Sequence, residues 1–280
     1  MDHLTKQQIS DQLRKRVEAT SGNKVATALK ISPATISHML GGKWENISPE
    51  MWRSVQKQLE PGNKGWMFVE TKEATRLKSI LSDCKEHSMV FGICAPAGFG
   101  KSEITKAFTE QENVFKINCN EFFNRKTFLA ELLEQMHQDN GGYSINEMLN
   151  KVIKKVNQMD SPVIILDEAD KLSDQVLFFF ITLYNALQDK CGLILIATDH
   201  LEKRIKRGVD SNKKGYKEIF SRLGRRFVNF PAYSLASIKQ IVRANGIDDE
   251  ETVNMIVNDC ESDIRRVKRL VLARRLEGAA

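Results

Sequence analysis

Residues 95–102 of this chain read APAGFGKS and directly follow an apolar run, MVFGIC, at 89–94. No other feature constrains the fold as strongly. A short strand entering a Gly-containing loop that ends in Lys-Ser at the head of a helix wraps phosphates with backbone N–H groups. The positive end of the helix adds to the attraction. Such a loop exists only as a strand–loop–helix unit, so the chain must build an α/β layer with a strand ending at this point. Gly98, Phe99, Gly100, Lys101, Ser102 and Glu103 are the expected cradle of a nucleoside triphosphate. Lys101 would reach the β- and γ-phosphates and Ser102 would hold Mg2+. One position departs from the motif: Ala95 stands where it has Gly, which is harmless where the backbone needs no positive φ.

A second signal lies about 65 residues further on, where 163–168 read VIILDE. Four apolar residues ending in two carboxylates describe a buried strand that delivers acids to a site. Asp167 is expected in the metal shell beside Ser102, and Glu168 against an attacking water, where a general base is needed. Together the two segments imply ATP as cofactor, with Mg2+, and its hydrolysis.

The remaining pattern agrees with that layer. Strands are expected over 89–94, 114–119, 162–167, 192–198 and 226–230, with helices over 101–110, 125–138, 145–157 and 174–190 between them. Strands alternating with helices predict a parallel sheet covered on both faces. From 234 to 276 only helical spacing appears, as in a small lid. Residues 1–59 also read as helices alone, and EPGNKG at 60–65 is the clearest linker. The expected domains are 1–60, 61–232 and 233–280.

Composition narrows the classes. No apolar run is long enough to span a bilayer, and the first residues are polar, so neither a membrane nor secretion is expected. Five cysteines without a CxxC pair point away from disulfides and zinc and towards the cytoplasm. Net charge is 42 − 36 = +6, unevenly placed. Between 202 and 226 there are ten Lys/Arg against three acids, and between 264 and 275 six against none. Such clusters suit a polyanion partner or, equally, a solvated face.

With these motifs in order, residues 90–275 resemble an AAA+ ATPase module, the oligomeric branch of the P-loop enzymes. The resemblance implies a P-loop parallel sheet flanked by helices with a C-terminal helical lid. It carries the polar sensor-1 role to Thr198, in ATDHL, which ends the fourth strand. It carries the trans-acting arginine finger to Arg222 in EIFSRLGRRF, with Arg225 and Arg226 as rivals, and the sensor-2 role to Arg265 in SDIRRV. A finger supplied by a neighbour implies self-association as a ring or helical filament. In the segment WMFVET at 66–71 the same resemblance offers Val69 to the adenine, while Trp66 reads as an apolar staple.

Within 23–44, Val25, Ala26 and Leu29 form one apolar face and Ile36, Met39 and Leu40 the next. Ser32 is a good N-cap and Pro33 a good first helical residue. That exposes Pro33, Ala34, Thr35, Ser37 and His38, with Lys43 near a phosphate. The stretch 8–59 resembles the helix-turn-helix domains of phage Cro and repressor proteins. Its exposed residues are small and include no Arg or Gln, which suits weak base readout or a protein contact.

This combination of a Cro-like domain and a minimal AAA+ module, with DEADKL and ATDHL in the core, resembles the transposition-regulator ATPases of the MuB, TnsC and IstB type. That resemblance implies a bacterial or phage-encoded, nucleoid-associated protein that coats double-stranded DNA as an ATP-dependent filament. It would hand the DNA to a DDE-type transposase. Loops after the second and fourth strands would touch DNA: Asn120, Arg125 and Lys126 in one, and Lys203, Arg204, Lys206, Arg207, Lys213 and Lys214 in the other. The alternative is an ATP-switched site-specific regulator, replication initiator or helicase loader.

Overall fold

A computed structural model describes residues 3–19, 21–59 and 66–277. The expected linker at 60–65 lies outside the described residues. The chain divides into two compact units. One gathers the described residues of 1–67 with 242–248 and 268–280, the other 68–241 with 249–267.

In the first unit, α1 (His3–Ala19), α2 (Gly22–Ala28), α3 (Pro33–Leu40) and α4 (Pro49–Leu59) enclose a core of Ile9, Leu13, Val25, Leu29, Ile36, Met39, Trp52 and Val55. α1, α3 and α4 each contribute residues three or four apart, so one stripe of each faces inward, and Leu29 joins the core from the turn after α2. Ser32 caps α3 by accepting from Thr35 N at 3.1 Å, and Pro33 occupies the first helical turn. The Met39 carbonyl near the end of α3 accepts from Ser10 Oγ and from Trp44 Nε1, both at 2.9 Å. Those bonds satisfy a carbonyl that the helix itself leaves open. Pro33, Ala34, Ser37 and Lys43 are exposed, whereas Thr35 and His38 are half-buried. The Thr35 hydroxyl is taken up by Ser32 Oγ at 2.9 Å.

The second unit is the α/β layer. Helix α5 (Lys72–Glu86) leads into β1 (Val90–Cys94), α6 (Lys101–Phe108) and β2 (Val114–Asn118). Then come α7 (Arg125–Gln135), α8 (Ile145–Val156), β3 (Val163–Asp167), α9 (Asp174–Leu187) and β4 (Gly192–Ala197). Helices α10 (Asp199–Asp210) and α11 (Tyr216–Arg222) precede β5 (Phe227–Asn229). Helices α12 (Leu235–Ala244), α13 (Glu250–Asp259) and α14 (Ile264–Glu277) follow along the chain, with 242–244 of α12 and 268–277 of α14 belonging to the first unit. All strands are parallel, in the order β2-β3-β4-β1-β5. β3 and β4 are buried along their whole length, as central strands of a sheet covered on both faces must be. Because β4 lies between β1 and β3, its carboxyl end stands between the phosphate loop and the Asp-Glu pair.

The five expected strands are present within two residues at either end. The segment after β4 is a correction to the sequence reading, which placed basic loops there. Residues 199–210 are a helix, α10, whose Leu201, Ile205 and Gly208 are buried at helical spacing while Lys203, Lys206 and Arg207 line its outside; Lys213 and Lys214 do lie in the turn that follows it. All five cysteines are free and buried. Among the described residues no helix is long and apolar enough to cross a membrane.

Candidate nucleotide-binding site

The loop between β1 and α6 is shaped by two glycines and anchored by one aromatic ring. Gly98 and Gly100 have φ of 72° and 80°, a region that costs other residues strain. Ala95 is not among the positive-φ residues, and its N–H donates to Ala197 O at 3.0 Å, so the missing first Gly does no harm. Phe99 points away from the cradle. Its ring is buried against Tyr233 and Phe230, with centroids 4.8 and 5.4 Å away, so only its backbone faces a ligand. Gly100 caps α6, and its carbonyl accepts from Glu103 N and Ile104 N at 3.0 Å, so the open donors of the first turn are the N–H groups of Lys101 and Ser102. Those donors are what binds an anion. Glu103 in this turn is exposed.

The start of α14 closes on the same loop. Ile264 N donates to Gly98 O at 3.0 Å. A Cβ at Gly98 would stand 2.1 Å from Asp263 Oδ1, so this glycine is required twice over. Asp263 caps α14 by accepting from Arg265 N at 2.7 Å, which sets Arg265 at the rim of the loop. Lys101 Nζ donates to Ala95 O and Pro96 O at 2.8 and 2.9 Å. Burial lowers the Lys101 pKa, the carboxylates of Asp167 and Asp170 oppose that, and the nearby Arg265 charge adds to it. The net effect is downward, in a pocket where a phosphate would restore the balance.

Asp167 is buried at the end of β3, 1% exposed. Its Oδ2 accepts from Ser102 Oγ at 3.2 Å, and its Oδ1 from Glu168 N at 3.0 Å. Two hard oxygens side by side fit Mg2+, which completes its shell with water and phosphate oxygens. Among the described residues no group of three or more His, Cys, Asp or Glu is placed to hold a metal by itself. Glu168 has a positive φ of 57°, and its carboxylate is paired with Lys171 Nζ at 2.6 Å. Thr198, at the end of β4, donates to Asp170 Oδ2 at 2.6 Å. Sequence reasoning missed Lys116 on β2, whose Nζ lies 2.8 Å from Asp167 Oδ2 and donates to Thr105 Oγ1 at 2.8 Å. The signal was a lysine inside an otherwise apolar strand, VFKIN.

Arg222 is elsewhere. Its Nε donates to Asn185 Oδ1 at 3.3 Å, its guanidinium stacks 5.1 Å from the Tyr184 ring, and Glu218 lies 3.6 Å away. With His87, Met89 and Cys191 it lines a hollow of about 310 Å³ at the amino ends of β1 and β4. The phosphate loop is at the opposite, carboxyl end of β1. Arg225 and Arg226 are exposed at the entry to β5.

The basic residues separate into two groups. Lys203 pairs with Asp199, and Lys206 with Glu202. Arg204 is half-buried. It bonds Leu172 O at 2.7 Å and Asp174, which also binds Lys213 and Tyr216 Oη, each at 2.7 Å. Burial alone would raise the Asp174 carboxyl, but the bonds from Lys213, Tyr216 and Arg204 hold it well below the usual carboxylate range. Arg125, Lys126, Arg207 and Lys214 are exposed. Asn120 turns back to accept from Phe122 N at 3.0 Å, ordering the loop after β2. Val69 is half-buried, and Lys268 Nζ stands 5.8 Å over the Trp66 ring.

A strand-borne loop with open N–H donors, a buried aspartate touching its Ser and a polar residue at the end of the strand between them form a candidate phosphate-binding site. Residues 84–205 match the family profile of the AAA domain. The α/β unit has the AAA+ fold, and the match supports an AAA+ ATPase core that binds ATP. No curated protein matches the chain in sequence. Among solved structures it is similar to Drosophila ORC bound to DNA, at 14% identity and a TM-score of 0.47, over 74% of this chain and 55% of that one. It is also similar to NtrX from Brucella abortus in complex with ATP, at 13% identity and 0.49, over 86% and 59%. The chain thus spans less than two thirds of either structure.

Proposed function

We propose that this chain is an ATP-hydrolysing protein that assembles on double-stranded DNA and delivers it to a DDE-type transposase. In this reading the α6 N–H groups and Lys101 bind the triphosphate. Ser102 and Asp167 would hold Mg2+, whose role when bound is to offset phosphate charge. Glu168, released from Lys171, takes a proton from the attacking water. Thr198 orients that water, and Arg265 lies over the γ-phosphate.

The observation that carries self-association is the placement of Arg222. Five strand residues span about 17 Å at ~3.3 Å each, so an arginine at the amino end of β1 does not reach the phosphate loop at its carboxyl end. A finger at Arg222 therefore serves a second copy of the chain, and repeating that contact builds a ring or filament. Net charge of +6 and the exposed Arg125, Lys126, Arg207 and Lys214 support a sequence-tolerant duplex partner. Arg204 has a structural role and is not part of that surface. The N-terminal unit, with small exposed residues on α3, suits a weak DNA contact or the transposase. A second reading, a loader that handles single strands, is favoured by Phe122 alone. It is 90% exposed beside Arg125 and Lys126 and offers a stacking face.

Electron microscopy with unrelated linear duplex DNA separates these readings. Continuous coating with ATP that disappears with ADP is the expected result. Discrete particles at fixed positions would replace the filament with a site-specific regulator, and assembly on single strands only would favour the loader.

A further inference from the structure

We infer that Lys116 is a built-in counter-ion that closes Asp167 to free metal, so that the chain takes up Mg2+ only together with nucleotide. The inference rests on the ATP reading of this site and adds to it a residue and a rule of binding order. Asp167 is almost wholly buried, and a buried carboxylate without a partner is costly. The partner supplied is an ammonium group from the neighbouring strand, itself only 14% exposed in its side chain. Its position follows from the sheet register. Asn118 pairs with Asp167 and Lys116 with Ile165, so Lys116 sits two residues back on the adjacent strand, within reach of the carboxylate. Thr105, one turn into α6, accepts a second bond from the same Nζ and fixes its aim.

The consequence is electrostatic. Asp167 Oδ2 already receives Lys116 and Ser102, and Oδ1 receives Glu168 N. A divalent ion drawn to Ser102 and Asp167 would stand within a few ångströms of a fixed ammonium in a poorly solvated site, where like charges repel strongly. Two protein oxygens of the six that Mg2+ prefers do not offset that repulsion. Phosphates on the loop bring both the missing oxygens and the negative charge. Lys116 thereby makes the affinities for metal and nucleotide depend on each other, and that coupling is reciprocal.

The test is Mn2+ binding followed by electron paramagnetic resonance, in the absence of nucleotide, on the full chain and on Lys116→Met, Lys116→Gln and Lys116→Arg. Glutamine keeps a donor for both oxygens but no charge, and serves if the methionine variant does not melt cooperatively. The wild-type chain and Lys116→Arg should bind no Mn2+ at millimolar concentration. The uncharged variants should bind at least tenfold more tightly than wild type, and Mg2+ should strengthen their binding of a fluorescent ATP analogue by a smaller factor. Mn2+ affinity within twofold of wild type in a folded, uncharged variant overturns the inference. A wild-type chain that binds no ATP analogue, with or without Mg2+, would instead overturn the ATP reading, and the nucleotide-free Mn2+ comparison distinguishes the two failures.

Discussion

The stretches 95–102 and 202–226 hold most of the residues that look functional in this sequence, and they use their charges in opposite ways. At the phosphate loop one lysine, Lys101, is bonded only to the carbonyls of Ala95 and Pro96 and keeps its charge for an anion. In the second stretch Lys203, Arg204, Lys206, Lys213 and Arg222 all meet carboxylates. Two of those acids, Asp174 and Asp199, lie outside the stretch, so a local count of charges overstates what is available. Lys101 meets no carboxylate within bonding distance, and spacing around a backbone loop predicts such a cation better than charge density does.

The contrast yields four expectations, the largest first. Glu168→Gln should leave ATP affinity within about threefold while cutting turnover by ~10²–10⁴, the range for loss of a general base. Phosphate release under saturating ATP measures it, and undiminished turnover would remove Glu168 from the reaction. Arg222→Ala should slow hydrolysis by about 10³-fold, the lower side of what an arginine finger supplies. Mixing it with Lys101→Ala should restore activity, because each variant carries the part the other lacks. If no mixing ratio restores it, the finger passes to Arg225 or Arg226.

The exposed and paired cations should then separate in DNA binding. Arg125→Ala with Lys126→Ala should weaken duplex affinity about tenfold and reduce the salt slope by roughly two. Lys203→Ala with Lys206→Ala should change it less than threefold. Equal effects in a salt-dependence titration would erase the distinction.

The smallest effect concerns stability alone. Asp174→Asn should destabilise the fold by about 1–3 kcal/mol, as expected for lost bonds to charged groups, without changing ATP affinity. The folded carboxyl titrates lower than in the unfolded chain, where its pKa is near 4. Its contribution is therefore complete above about pH 5 and lost as the pH falls through the folded value. Denaturant melts should show a constant gap between wild type and variant from pH 8 to 5 that narrows in stronger acid.

The fold was largely legible because its signals are local. The VIIL and LILIA runs can only be central strands, and the loop motif dictates the strand before it and the helix after it. Helices α10 and α11 were not legible in the same way. Their basic composition obscured the spacing of Leu201, Ile205 and Gly208, although Thr198 stood in front as a possible cap. The Lys116–Asp167 pair was hidden for another reason. It depends on β2 lying next to β3, and strand order is not written in either segment. Asp174 likewise draws its partners from Arg204, Lys213 and Tyr216, thirty or more residues away.

The account stands on one nucleotide site at the carboxyl ends of β1, β3 and β4. Calorimetric titration of MgATP into the full chain tests it most directly. The expected result is one site per chain, an affinity at least 100-fold weaker in Lys101→Ala, and weaker binding when Mg2+ is removed with a chelator. A folded wild-type chain that takes up no ATP, or a Lys101→Ala variant that binds it as well as wild type, would contradict the account.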